Sequence, residues 1–186
     1  VIAAIRKLSS NKAPGPDGLT AHFYKVYADV LAPRLVEVYA EAFERCELLQ
    51  SMRESAMVAP LKPNKPVDEC DSYCPLSLIN LDNKILAKLL ANKLSSLLPE
   101  IVLPDQSGFI PGRATAHNLR TLFSLLHRIR PNLVVVFLDA TKAFDTLERH
   151  YLFSVLNRMG LGRQFVAWVK LLYVKPYSHL GINGWT

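Results

Sequence analysis

The chain has 186 residues, half of them hydrophobic and a fifth charged, with 22 Lys and Arg against 16 Asp and Glu. That length fits one domain, and that balance excludes a disordered chain and favours an anionic partner, of which nucleic acid is the commonest. Three cysteines, an odd count in a mid-sized chain, exclude a disulfide framework, and no apolar run approaches membrane-spanning length.

Ile2, Ile5 and Leu8 are spaced for a short amphipathic helix already under way at Val1. The last residues, Gly181 to Thr186, stop without helical periodicity, so the chain reads as a piece of something longer, with no targeting signal seen. Asn11 to Gly18 holds two prolines, two glycines and an Asp, and predicts an ordered loop. Residues 20 to 49 return to helical spacing through Phe23, Val26, Leu31, Leu35, Val38 and Phe43; Pro33 is expected to kink that helix or to begin a second one.

Met57 to Leu61 and Cys74 to Ile79 are short apolar runs around a polar, proline-rich loop, which predicts a β-hairpin. Cys70 and Cys74 have no second pair with them, so free thiols are expected rather than zinc ligands. Asp82 is placed to cap a helix with Ile85, Leu86, Leu89, Leu90, Leu94, Leu97 and Leu98 as its stripe, ended by Pro99 and Pro104. A turn at Gly108 to Gly112 precedes another helix, marked by Leu119, Leu122, Phe123, Leu126 and Ile129.

Leu133 to Leu138 is six apolar residues in a row, the pattern of a strand buried on both faces. Asp139 follows it directly. A buried strand would hold that carboxylate rigidly, and oxygen ligands suit Mg²⁺. The plainer reading of Asp139 is a loop-starting residue or a helix cap. Asp145 and Glu148 have capping-box spacing, with Asp145 as the cap. They open a helix through Leu147, Tyr151, Leu152, Val155, Leu156 and Met159, closed by Gly160; a further helix covers Phe165 to Tyr173.

Five ordered blocks carry a family resemblance. They are Asn11 to Leu19; Ser72 to Asn80 with Asp82 and Lys84 to Lys88; Asp105 to Arg113 with Asn118; Phe137 to Asp145; and Trp168, Leu172-Tyr173, Pro176 and Asn183-Gly184. In this order they resemble the reverse transcriptases of LINE-type, non-LTR retrotransposons, from about Ile2 to Gly184. The resemblance implies an α+β right-hand polymerase, helix-rich, with a short fingers hairpin and a buried palm strand. Residues 1–130 would form fingers and adjoining helices, and 131–186 the N-terminal part of a palm.

The function so implied is RNA-directed DNA polymerase, acting by two-metal nucleotidyl transfer in a complete enzyme. Asp139 would be the catalytic, metal-binding residue, with the Ala140 carbonyl helping to hold a second ion. Phe144 would stand under the incoming sugar and exclude a 2′-hydroxyl. Lys62 would fold over the triphosphate, and Arg113 would lie near the template strand. For Lys62 a solvated hairpin lysine, and for Arg113 a surface arginine after a turn, are the plainer readings. Two Mg²⁺, or Mn²⁺ in their place, are the cofactors implied. An RNA template, a DNA primer and deoxynucleoside triphosphates are the partners, no membrane is involved, and the location is intracellular, in nucleus and cytoplasm.

Two departures stand out. The family's Tyr-Arg-Pro reads Tyr73-Cys74-Pro75 here, and a thiol cannot replace a guanidinium that grips phosphate. The loss of one such charge-assisted contact is worth roughly 1.5–3 kcal/mol. Further, no Asp-Asp dipeptide occurs anywhere in the chain, although the family needs that pair to complete its metal site. These 186 residues alone are therefore expected to be inactive. The alternatives are a catalytically dead, nucleic-acid-binding relic, a group II intron maturase-like protein, and an aspartyl-phosphate phosphatase built on Asp139.

Overall fold

The computed structural model describes residues 1–127 and 134–181. Ile2–Arg6 forms helix α1, which turns Ala4 and Ile5 inward. Thr20 caps helix α2, Ala21–Val26: its hydroxyl accepts from the Phe23 amide at 3.4 Å. Helix α3, Ala28–Glu44, buries Ala28, Ala32, Leu35, Tyr39 and Ala42. Those positions recur every three or four residues, so they share one face. The small alanines let neighbouring backbone approach closely.

The break between α2 and α3 comes at Tyr27, not at Pro33, which lies inside α3 on the solvent side. Proline lacks only one donor, and on an exposed face water satisfies the carbonyl left over. Short helix α4, Gln50–Arg53, leads into strand β1, Glu54–Val58. Strand β2, Leu76–Ile79, pairs antiparallel with β1 in the register Ser55↔Ile79 to Val58↔Leu76. The expected hairpin is thus present, and a bridge between Leu61 and Tyr73 extends it.

Helix α5, Leu81–Ile101, runs through Pro99 and stops before Pro104. It starts two residues earlier than expected, so Asp82 sits in its first turn rather than at its cap. Helices α6, Thr115–His127, α7, Arg149–Arg158, and α8, Arg163–Leu171, follow. Gly160 closes α7 at φ +72°, a conformation that glycine adopts without strain. Strand β3, Tyr177–Leu180, was not expected. It pairs parallel to β1, giving a three-stranded sheet of order β2-β1-β3. The class is α+β and helix-rich, with one small mixed sheet.

The chain divides into two compact units. The first comprises Val1–Leu90 and the chain from Ala167 on. Its core gathers Ile5, Tyr24, Tyr39, Met52, Ile85 and Leu171, with the Phe43 and Trp168 rings stacked at 4.4 Å. The second is Ala91–Val166, in which Ile110, Leu156 and Val166 are buried. The expected border between fingers and palm, at 130/131, lies outside the described residues, as do Ile129, Leu133, Asn183 and Gly184.

Two expectations are corrected here. Residues 134–140 form no strand, and the apolar side chains are open to solvent, Phe137 at 83% and Leu138 at 92% exposure. A strand exists only as a member of a ladder, and no described strand pairs with this run. Asp145 is not a cap: α7 begins at Arg149 behind Glu148, with no side-chain cap bond. The Asp145 amide donates instead to the Lys142 carbonyl, inside a turn that spans 141–145.

Candidate functional site

Asp139 and Ala140 follow the apolar run directly, and the turn at 141–145 comes at once after them. Lys142 makes that turn at φ +50°. Its carbonyl accepts from the amides of Asp145 and Thr146 at 2.9 and 3.1 Å, and from the Thr146 hydroxyl at 3.2 Å. The turn thus holds the backbone from Lys142 to Thr146 and with it Phe144, which is 89% exposed. Asp139 is exposed and has no hydrogen bond or ion pair with the described residues. Its oxygens remain available as hard ligands.

The Asp139 carboxylate and the Ala140 carbonyl are donors of the kind that magnesium takes. Among the described residues, however, no group of three His, Cys, Asp or Glu side chains is gathered to hold an ion. A complete metal site is therefore not built from these residues, and no chemical step is derived through one.

Lys62 lies at the mouth of the hairpin. Its amide donates to Ser72 O at 2.7 Å, and the Cys74 amide donates to Pro60 O at 3.0 Å. With the Leu61–Tyr73 bridge between them, these are successive rungs. The Lys62 ammonium donates to the Asp71 carbonyl at 2.7 Å, and the Tyr73 hydroxyl to Val67 O at 2.9 Å. The loop is thus tied to its own base, with Lys62 and the Cys74 thiol exposed. Lys62 belongs to the first compact unit, and Asp139 and Phe144 to the second.

Arg113 has an internal task. Its two terminal nitrogens donate to four carbonyls: Leu103 at 2.5 Å, Gln106 at 2.9 Å, Pro99 at 2.9 Å and Val102 at 2.8 Å. The last turn of a helix leaves carbonyls without partners, and a planar cation suits them. Asn118 adds a bond to Asp105 O at 3.2 Å. Ile110 anchors the same loop by burial, while Phe109 stands 94% exposed at φ +61°.

Asn80 organises the other end of the hairpin, a role that sequence reading missed. Buried at 1% exposure, it donates to Ser51 O at 2.8 Å and accepts from the Asp17 amide at 3.2 Å. Asn83 reaches Met52 O beside it. Both amides therefore bond carbonyls of α4. Its one signal was a polar residue closing an apolar run. The Tyr39 hydroxyl donates to Asp82 O at 2.8 Å. Burial holds the Asp82 carboxyl above the usual carboxylate range; the Asn83 amide opposes that and the Asp17 charge adds to it. Burial likewise pushes the Tyr24 and Tyr39 hydroxyls well above their usual range, with the Asp82 charge adding in each case.

Comparison with known proteins bears on all of these residues. The family described as reverse transcriptase (RNA-dependent DNA polymerase) matches residues 61–185. A Xenopus laevis relative, the transposon TX1 uncharacterized 149 kDa protein, is 37% identical over 184 residues, covering 97% of this chain and 14% of the relative. The Drosophila melanogaster Pol polyprotein of type-2 retrotransposable element R2DM is 24% identical, over 97% of this chain and 17% of its own length. The RNA-directed DNA polymerase from mobile element jockey, also from Drosophila melanogaster, is 23% identical, over 97% and 20%. The chain thus spans a fifth or less of these curated relatives.

Proposed function

Because the chain belongs to the reverse transcriptase family, in its LINE-type, non-LTR branch, we propose that it is the fingers and early-palm portion of an RNA-directed DNA polymerase. The family implies a right-hand polymerase fold and generally uses divalent metal ions. Nucleic-acid template, primer and deoxynucleotides are the partners proposed, and nucleus and cytoplasm the location. Among the described residues no helix is long and apolar enough to cross a membrane.

Asp139 supplies one carboxylate to a magnesium site, with the Ala140 carbonyl beside it. When bound, such ions stabilise the attacking and leaving oxygens of phosphoryl transfer. The residues of this chain orient and select. Phe144, fixed by the turn at Lys142, stands beneath the sugar. Lys62 offers a positive charge to the triphosphate, which requires it to leave the Asp71 carbonyl. Arg113 acts through position, holding the loop that presents Phe109; only its Nε–H stays free of the four carbonyl bonds.

The observation that carries this reading is the family match over residues 61–185, which includes Lys62, Arg113, Asp139 and Phe144. Its test is a chimera in which residues 1–186 replace the matching segment of the full-length TX1 protein. Primer extension on an RNA template is expected, with loss of at least a hundredfold in Asp139→Asn. Undiminished synthesis by that variant would refute the assignment. For the 186 residues alone, the absence of any Asp-Asp pair favours a second reading. Such a chain holds nucleic acid in a salt-dependent way and adds no nucleotide.

A further inference from the structure

The first compact unit contains a cleft of about 290 Å³ where the opening loop meets the sheet. Leu8, Ala21, Leu78 and Leu81 form apolar walls, and Lys12 and Lys84 stand in the same lining. These residues come from the loop after α1, from α2, from β2 and from the start of α5. They are brought together because the loop is bonded to Asn80 through the Asp17 amide. No carboxylate lines the cleft.

Neither lysine ammonium has a hydrogen bond or ion pair with the described residues. Lys84 is half-buried. A third ammonium, Lys25, is held by Ser10 at 2.8 Å, one residue from Ser9 of the lining. Lys12 is exposed at the rim; a partly desolvated cation without counter-charge, as Lys84 is, favours an anion. Two ammoniums on separate elements suit a group with several anionic oxygens, since lysine binds phosphate as a point charge. The apolar walls suit a flat ring, and the volume is near the lower end of small-molecule pockets, about 300 Å³.

We propose that this cleft binds a nucleotide unit, its phosphate between Lys12 and Lys84 and its base against Leu8, Leu78 and Leu81. Its lining includes none of Asp139, Phe144 and Lys62. Binding is read without synthesis, so failure of the polymerase reading leaves it standing.

The experiment uses the 186-residue chain and lysine acetylation followed by mass spectrometry. The probes are a deoxynucleoside monophosphate, a short oligothymidylate strand and tripolyphosphate. Lys12 and Lys84 should be protected together, at least threefold more than Lys65 in the hairpin loop. Protection by the monophosphate identifies a free nucleotide as the occupant, and protection by the strand alone identifies a nucleotide within a chain. Either supports the proposal. The Lys12→Gln, Lys84→Gln double variant should bind the protecting probe roughly a hundredfold more weakly, the scale of two lost charge-assisted contacts. Unchanged acetylation with both nucleotide probes would overturn the proposal. So would equal protection by tripolyphosphate, which has the charge and no base. Because the footprint is taken on the unaltered chain, it decides the matter even where the double variant folds poorly.

Discussion

Gly15 lies flush against Asn80. A Cβ placed on Gly15 would stand 2.5 Å from the Asn80 amide nitrogen and 2.6 Å from the Ile79 carbonyl carbon. Backbone cannot yield as a flexible side chain does, so Gly15→Ala must push the loop off the end of β2. Overpacking and loss of the Asp17–Asn80 bond together should cost about 2–4 kcal/mol. Gly108→Ala, with nothing within 4 Å of its Cβ, is the control. Melting curves of the two variants check this; equal stability would show that the loop does not rest on Asn80.

Arg113→Ala should free the segment from Pro99 to Gln106. The bonds are largely solvent-exposed, so the global loss is expected to stay near 1–2 kcal/mol. The local effect is larger: hydrogen exchange in residues 102–107 should quicken at least tenfold. Arg113→Lys should not restore protection, because one ammonium cannot serve four carbonyls in the plane of a fork. Protection restored by lysine would sink the clamp.

Asp82 makes stability depend on pH in an uncommon direction. Its folded carboxyl holds its proton more tightly than the unfolded one. Its contribution is therefore full below the ordinary carboxylate range and falls as pH rises through the folded value. Asp82→Asn keeps an acceptor for the Asn83 amide and removes the buried charge. The variant should melt higher than the parent at pH 7 and lose that advantage at pH 3.5. A constant difference at both values would remove Asp82 as the cause.

Phe144→Val separates gating from packing, because an 89% exposed ring leaves no cavity when trimmed. In the chimera, ribonucleotide incorporation should rise relative to deoxynucleotide incorporation, while the melting temperature of the 186-residue chain shifts by less than about 2 °C. An unchanged incorporation ratio would end the gate assignment.

Cys74→Arg should strengthen deoxynucleoside triphosphate binding by the chimera, by roughly ten- to a hundredfold. The position is exposed, so folding should be indifferent to it. Unchanged affinity would show that the hairpin does not face the triphosphate.

The elements that sequence reading found are those whose determinants are local. The stripe Ile85, Leu86, Leu89 and Leu90 makes α5, and Gly160 closes α7, through residues only a few positions apart. The paired runs around the proline-rich loop gave the hairpin for the same reason. β3 escaped because its four residues have meaning only beside β1, more than a hundred residues away. The run before Asp139 misled for the converse reason: apolar character predicts burial but does not supply a partner strand. At the site, the family resemblance names Asp139, Phe144 and Lys62, whereas the guanidinium of Arg113 and the amide of Asn80 bond to backbone carbonyls. Backbone carbonyls have no letter in a sequence.

The parallel pairing of β1 with β3 also sets a schedule. During synthesis on the ribosome, β1 and β2 emerge close together and can join at once. The other edge of β1 must wait until β3 appears, after more than a hundred further residues. At about 5–20 residues per second, that edge stays unpaired for roughly 5–25 seconds. An open strand edge is a template for other chains. Crowded polysomes translating this sequence therefore expose the β1 edge of many nascent copies at once, and a chaperone that covers Glu54–Val58 would raise the yield of folded chains.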